Sequence, residues 1–232
     1  MTAKARLKAL ILNEPIDRVP FMPFAVGWYA VDNGISLHDF FSNPDRAFEA
    51  GERSIRKYPW ANMRPVYGWA DHGAWEFGGK IAWPEGDRTM TPYTPEPLIS
   101  GPEELDQIAE PDPLRTEWYG LRSRFNEMCM RKGYSALLPS ASIMAPLASI
   151  LGIENLLKWM VKHPEAIHLL ARKVLDMNLT VARVMMEKYG AIHCSVMTDL
   201  TLEGNNVISP ELFEEFCLPY LEKLHGFYLD SG

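Results

Sequence analysis

The apolar positions of residues 164–189 recur with a helical period. Ile167, Leu170, Ala171, Val174, Met177, Val181, Val184 and Met185 share one face of a single long helix. Pro164 opens it where a missing N–H costs nothing, and Gly190 is placed to end it. The same reading predicts helices over 114–132, 145–151 and 155–163, with Gly152 between the last two. Residues 3–12 form a helix with Leu7, Leu10 and Ile11 on one side. Residues 36–57 hold a short helix and then a second one opened by Asn43-Pro44, with Asn43 as its cap. Four short apolar runs read as strands: 19–24, 62–69, 135–139 and 192–198. Pro20 and Pro23 confine the first to the start or edge of a sheet. Residues 80–113 carry seven prolines and a helical pattern only around 102–108. They read as an excursion over the surface and a candidate lid.

The stretch from Val207 to Leu224, VISPELFEEFCLPYLEKL, has the most explicit local chemistry. The Ser209 hydroxyl can accept from a free N–H of the first turn, and Pro210 suits the first helical position. Glu211, Glu214 and Glu215 place negative charge near the positive end of the helix dipole. Leu212, Phe213, Phe216 and Cys217 line one face. Pro219 breaks the helix near Leu218, and a second run sets Tyr220, Leu221 and Leu224 inward. Strands alternating with helices along the whole chain imply a parallel sheet and an α/β fold.

Composition narrows the function classes. With 232 residues, 47% of them hydrophobic, the chain can bury a real core. A net charge of −7 without long runs of one sign argues against a nucleic-acid surface. No run reaches the ~20 apolar residues of a membrane span, and the N-terminus reads as an amphipathic helix rather than a signal peptide. Cys129, Cys194 and Cys217 are far apart and form no C-x-x-C, which favours a reducing, cytoplasmic setting.

The motif I-S-P-E-x-F-E-E-F-x-x-P-Y at Ile208–Tyr220 resembles the signature of the uroporphyrinogen decarboxylase superfamily. That superfamily includes the decarboxylase and the cobamide-dependent methyltransferases. The opening helix followed by x-P-x-D-R-V-P-x-x-P, and the segment ISGPEELDQIAEPDP, are similar to the same family. The resemblance implies a (β/α)8 barrel over residues 1–232. Only four strand candidates are used by Asp199, and 33 residues follow it. One βαβ unit needs roughly 30 residues or more, so the chain is expected to supply about the first half of such a barrel.

In such barrels the chemistry sits on loops at the carboxyl ends of the strands. Trp28 and Tyr29 follow the first candidate strand. Asp71, His72 and Glu76 follow the second, Ser140 and Ser142 the third, and Asp199, Glu203, Asn205 and Asn206 the fourth. His72 and Glu76 are spaced to lie one turn apart on a short helix, which suits metal ligands or an acid/base pair. The bland alternative is a capping Asp71 and a solvated Glu76. Asp199 can orient a substrate or take a proton; its bland alternative is an Asx-turn. His72, Glu76 and Asp199 are the candidate catalytic residues. Trp28, Tyr29, Asp71, Ser140, Ser142, Glu203 and Asn205 are candidate substrate contacts, with an aromatic wall from Trp28 or Tyr29. His193 and Cys194 are adjacent in a strand and face opposite ways, so they cannot share a metal. His163 and His168 read as surface residues.

The family's branches differ in their cations. The decarboxylase carries an R-Q-A-G-R-Y stretch after its first strand, whose arginines bind the carboxylates of the substrate. The matching AVGWYAVDNG here has no arginine. Asp71 falls where the decarboxylase keeps its catalytic aspartate, in different surroundings. W-E-F-G-G at 75–79 is similar to the methyltransferase branch's E-A-x-x-G segment and places Glu76 on the family glutamate. The resemblance therefore implies a methyltransferase that moves a methyl group between a small methylated substrate or thiol and a corrinoid carried by a partner protein. It also implies a zinc ion in the full-length protein, with family H-x-C and Cys ligands that would lie beyond Gly232. Uroporphyrinogen decarboxylase and a non-catalytic module that docks a corrinoid protein are the alternatives.

Overall fold

The computed structural model describes residues 1–58, 64–86, 91–140 and 142–231. Its helices are α1 (Ala3–Ile11), α2 (Val26–Asp32), α3 (Leu37–Ser42), α4 (Pro44–Lys57), α5 (Gly73–Glu76) and α6 (Glu117–Arg131). Strand β1 (Ala136–Leu137) follows, then α7 (Met144–Leu151), α8 (Ile153–Lys162), α9 (Pro164–Tyr189), strand β2 (Cys194–Ser195), α10 (Pro210–Phe216) and α11 (Leu218–Asp230). The chain divides into two compact units. One holds Met1–Gly68, Trp83–Thr91 and Leu121–Ser135; the other holds Trp69–Ala82, Pro92–Gly120 and Ala136–Gly232.

In the first unit the caps are local and chemical. Asn43 Oδ1 accepts from the N–H groups of Asp45 and Arg46, so it opens α4 as its position predicts. Tyr29, Phe40, Phe41 and Ala50 are fully buried, and Tyr67 stacks on Phe125 at 4.9 Å. Asn33 Nδ2 ties α2 to α4 by donating to Ala50 O and Ser54 Oγ. Two expectations fail here. Residues 19–24 form no strand, and Val19, Phe21, Met22 and Phe24 are exposed. Pro20 and Pro23 remove the N–H groups that a ladder would use. On α1 the buried residues are Arg6 and Ala9, while Leu10 and Ile11 face solvent. Arg6 turns inward because its guanidinium binds Asp17.

The second unit holds the sheet. β1 and β2 pair in parallel, Ala136 opposite Cys194 and Leu137 opposite Ser195, and Leu138 N extends the pairing to Ser195 O. The strand expected over 192–198 is shortened by a 3-10 turn at Ala191–His193. Of the expected strand 62–69, residues 62 and 63 lie outside the described residues, and 64–69 form no strand. The described chain is thus helix-rich α/β with one parallel strand pair rather than a closed barrel.

The helices of this unit follow the sequence closely. α9 runs from Pro164 to Tyr189, and all its expected inward positions but Val184 are buried. Gly190 ends it at a φ of 83°, where a side chain would be strained. Ser209 Oγ accepts from Leu212 N, and the chain turns at Cys217 to begin α11. Leu147, Ile150, Leu156, Ile167, Leu170, Phe216 and Leu224 form the core, each fully buried and each contributing about 1.5–3 kcal/mol. His168 is half-buried, its side chain 25% exposed. Its ring stacks on Phe216 at 4.8 Å, and Nδ1 meets the Tyr220 hydroxyl at 2.8 Å, joining α9 to α10 and α11. The proline-rich excursion contributes Ile99 and Ile108 to the core and carries a 3-10 turn at Pro102–Gln107.

Candidate functional site

α5 is only four residues long, and other segments hold it in place. Gly73 passes so close to α7 that a Cβ there would stand 2.5 Å from Pro146 Cα, which only glycine avoids. Ala74 N donates to Ser149 Oγ of α7 at 2.8 Å. Ser149 Oγ meets Thr94 Oγ1 at 2.9 Å, and Thr94 N donates to Asp71 Oδ2 at 2.8 Å. A continuous polar chain from Asp71 through Thr94 and Ser149 therefore fixes both ends of the turn that carries His72.

His72 stands at the N-cap position of α5, and its Nδ1 lies 2.8 Å from Glu76 Oε2. The side chains are 16% and 7% exposed, so Glu76 is not the solvated residue of the bland alternative. A carboxylate only accepts, so Nδ1–H donates to Glu76 and Nε2 takes no part in that bond. The imidazole stacks on Trp118 at 4.6 Å and 26°. Trp69 meets Trp118 edge-on at 4.6 Å and lies 6.1 Å from Trp75. The result is a hydrogen-bonded histidine–glutamate pair against a tryptophan cluster.

A second cluster lies at the carboxyl ends of the strands. Glu203 Oε1 accepts from Ser142 Oγ at 2.8 Å and from the N–H groups of Ile143 and Met144 at 3.2 and 3.1 Å. Ser142 Oγ in turn accepts from Ala145 N, and Ser140 Oγ accepts from Ser142 N. Glu203 and Cys217 are both buried. Burial first, and then the Glu203 charge, push the Cys217 thiol up to about 12.

The remaining candidates have other partners or face solvent. Asp199 is exposed and accepts from the N–H and hydroxyl of Thr201, the turn of its bland alternative. No hydrogen bond or ion pair joins it to His72 or Glu76 among the described residues. Asn205 and Asn206 are exposed. Trp28 and Tyr29 lie on α2 of the first unit. Trp28 is half-exposed 6.4 Å from Tyr58, and Tyr29 is fully buried. The aromatic residues around His72 are instead Trp69, Trp75 and Trp118. Trp69 and Trp75 were in plain view beside His72 in sequence; Trp118 carries no such signal. A shallow depression of about 470 Å³, bordered by Leu105, Lys162, His163 and Leu169, contains none of these residues.

His72 and Glu76 are bonded to each other, and no cluster of three His, Cys, Asp or Glu side chains able to hold a metal ion occurs among the described residues. No described helix is long and apolar enough to cross a membrane.

Residues 2–228 match the family described as Uroporphyrinogen decarboxylase (URO-D). No curated protein is significantly similar to the chain. Among solved structures, a methyltransferase from Methanosarcina mazei is similar with a TM-score of 0.72 at 16% identity. The likeness covers 100% of this chain and 67% of that one. At that identity it speaks for the fold, and it implies an architecture of the barrel type.

Proposed function

The chain belongs to the uroporphyrinogen decarboxylase family, and on that premise we propose that it acts as one of the family's methyltransferases. It moves a methyl group between a small methylated compound or thiol and a corrinoid borne by a carrier protein. The observation that favours this branch over the decarboxylase is the charge of the site. Asp71 accepts from Thr94 N and His72 bonds to Glu76, and none of the three is paired with a lysine or arginine among the described residues. A tetrapyrrole with many carboxylates needs cations, and acidic neighbours repel it. A neutral, flat methylated compound or a thiol suits a histidine backed by tryptophans.

The chemistry asked of the chain is proton transfer. With Nδ1–H held by Glu76, His72 Nε2 takes the proton of a thiol acceptor, whose sulfur then attacks as thiolate. In the demethylating direction His72 starts as the imidazolium, gives its Nε2 proton to the oxygen or nitrogen that has lost its methyl group, and is left neutral. Glu76 keeps the ring oriented and stabilises the imidazolium. Stacking on Trp118 restricts the ring further. The corrinoid, as a substrate brought by its carrier, supplies or accepts the methyl group. The three free cysteines suit a cytoplasmic enzyme.

The test uses free methylcobalamin with a small thiol, and reduced cobalamin with a methoxylated aromatic compound, followed by the change in cobalamin absorbance. Methyl transfer in either direction, lost in His72→Ala, is the expected result. Decarboxylation of uroporphyrinogen without methyl transfer would assign the protein to the other branch. Binding of a corrinoid protein without either reaction would make it a docking module.

A further inference from the structure

The loop after β2 is tied to the helix after β1 by one carboxylate, and the catalytic reading above does not use that contact. β1 and β2 run parallel, so the chain leaves both strands at the same end. From β1 it passes through Ser140 and Ser142 into α7. From β2 it passes through Asp199, Glu203 and Asn205 to Ser209 and α10. Glu203 reaches 61 residues back in sequence to Ser142 and takes up the first free N–H groups of α7, those of Ile143 and Met144. The Ser142 hydroxyl closes the set by accepting from Ala145 N. Glu203 is 5% exposed, and its Oε2 is buried without a hydrogen bond. Asp199, Asn205 and Asn206, on the same loop, all face solvent.

From this arrangement we infer that Glu203 is a positioning residue, which pins the loop 199–208 to α7 and so sets where its exposed polar residues stand at the carboxyl end of the strand pair. Three donors converge on one oxygen at the positive end of a helix, where a carboxylate is held most firmly. All the hydrogen bonds of Glu203 run through Oε1 to Ser142, Ile143 and Met144, so the side chain is anchored within the fold. Ser142 has the same role from the other side. Glu203 and Ser142 therefore leave the set of substrate contacts and become the support on which Asp199 and Asn205 are presented.

The inference rests on the methyltransferase reading only for its kinetic readout, and hydrogen exchange tests it separately. In Glu203→Ala, amides of 199–208 should exchange about tenfold faster or more, as expected for loss of several buried hydrogen bonds. KM for the methylated compound should rise by more than kcat falls, at a temperature where the variant is folded. Glu203→Gln keeps one acceptor oxygen for the three donors and should recover most of the exchange protection. Where Glu203→Ala does not fold, Ser142→Ala should accelerate exchange in the same segment to a smaller extent. Wild-type exchange in 199–208 for the folded variants would overturn the assignment, as would unchanged KM and kcat in an active enzyme. Faster loop exchange in a protein without methyl transfer would leave the support standing and remove the proposed reaction.

Discussion

His72 Nδ1 and Glu76 Oε2 stand 2.8 Å apart across one turn of a four-residue helix, with the imidazole stacked on Trp118. This pairing fixes the tautomer and the tilt of the ring before any substrate arrives. His72→Ala should lower turnover by ~10²–10⁴, the usual loss for a general acid or base. Glu76→Gln should lower it less, because the amide oxygen still accepts from Nδ1–H while the negative charge is gone. Steady-state methyl transfer, with circular dichroism to verify folding, checks both. Equal losses in the two variants would show that the charge, not the orientation, matters most.

The short helix that carries this pair depends on Gly73. A methyl group there would meet Pro146 Cα at 2.5 Å and its carbonyl oxygen at 2.7 Å, both backbone atoms that cannot swing away. Gly73→Ala should cost about 1–3 kcal/mol and move α5 off its seat, with turnover falling even where the protein remains folded. Urea unfolding and activity on the same preparation check the two effects. An unchanged midpoint would mean that α5 and α7 separate without cost.

How much of this was legible follows from where each partner lies in the chain. α9, the Asn43 and Ser209 caps and the break at Cys217 depend on residues a few positions apart, so local chemistry foretold them. The His72–Glu76 pair was legible for the same reason. The family was legible in the Ile208–Tyr220 motif, and the match over residues 2–228 agrees with it. The run 19–24 misled because its apolar content spoke for a strand while its two prolines removed the donors. α1 misled because an amphipathic pattern does not say which face an arginine will claim. Trp118 behind His72, Ser149 under α5 and Glu203 against Ser142 are long-range pairings that no periodicity marks. The expected meeting of Asp199 with His72 came from the barrel rule, and Asp199 is engaged in its own turn.

Ser209 Oγ accepts from Leu212 N at 3.4 Å, a long bond for a cap. Ser209→Ala should cost ~0.5–1 kcal/mol, toward the lower end of the range for caps. A urea midpoint shifted by that amount at unchanged slope is the expected result. No shift would remove Ser209 from the cap and leave Pro210 alone to start α10.

The buried thiols make stability depend on alkaline pH. Burial pushes Cys129 up to about 11 against the opposing Arg64 charge, and burial with the Glu203 charge pushes Cys217 up to about 12. Tyr134 is pushed up to about 12 by burial and by its hydrogen bond to Glu52. An unfolded thiol releases its proton near pH ~8.5 and a tyrosine near ~10. Each group thus holds its proton more tightly in the folded state, and the unfolded state binds fewer protons as pH rises. The stability they contribute is fully present below those unfolded values and is lost progressively as pH climbs through the folded values. The urea midpoint should therefore fall between pH 8 and pH 11. Cys217→Ala should flatten that fall while shifting the midpoint at pH 7 only slightly. A thiol-reactive dye at pH 8 should label Cys194, which is partly exposed, ahead of the two buried thiols. Rapid labelling of Cys217 in the folded protein would show that Glu203 and the core around it open far more readily than their packing implies.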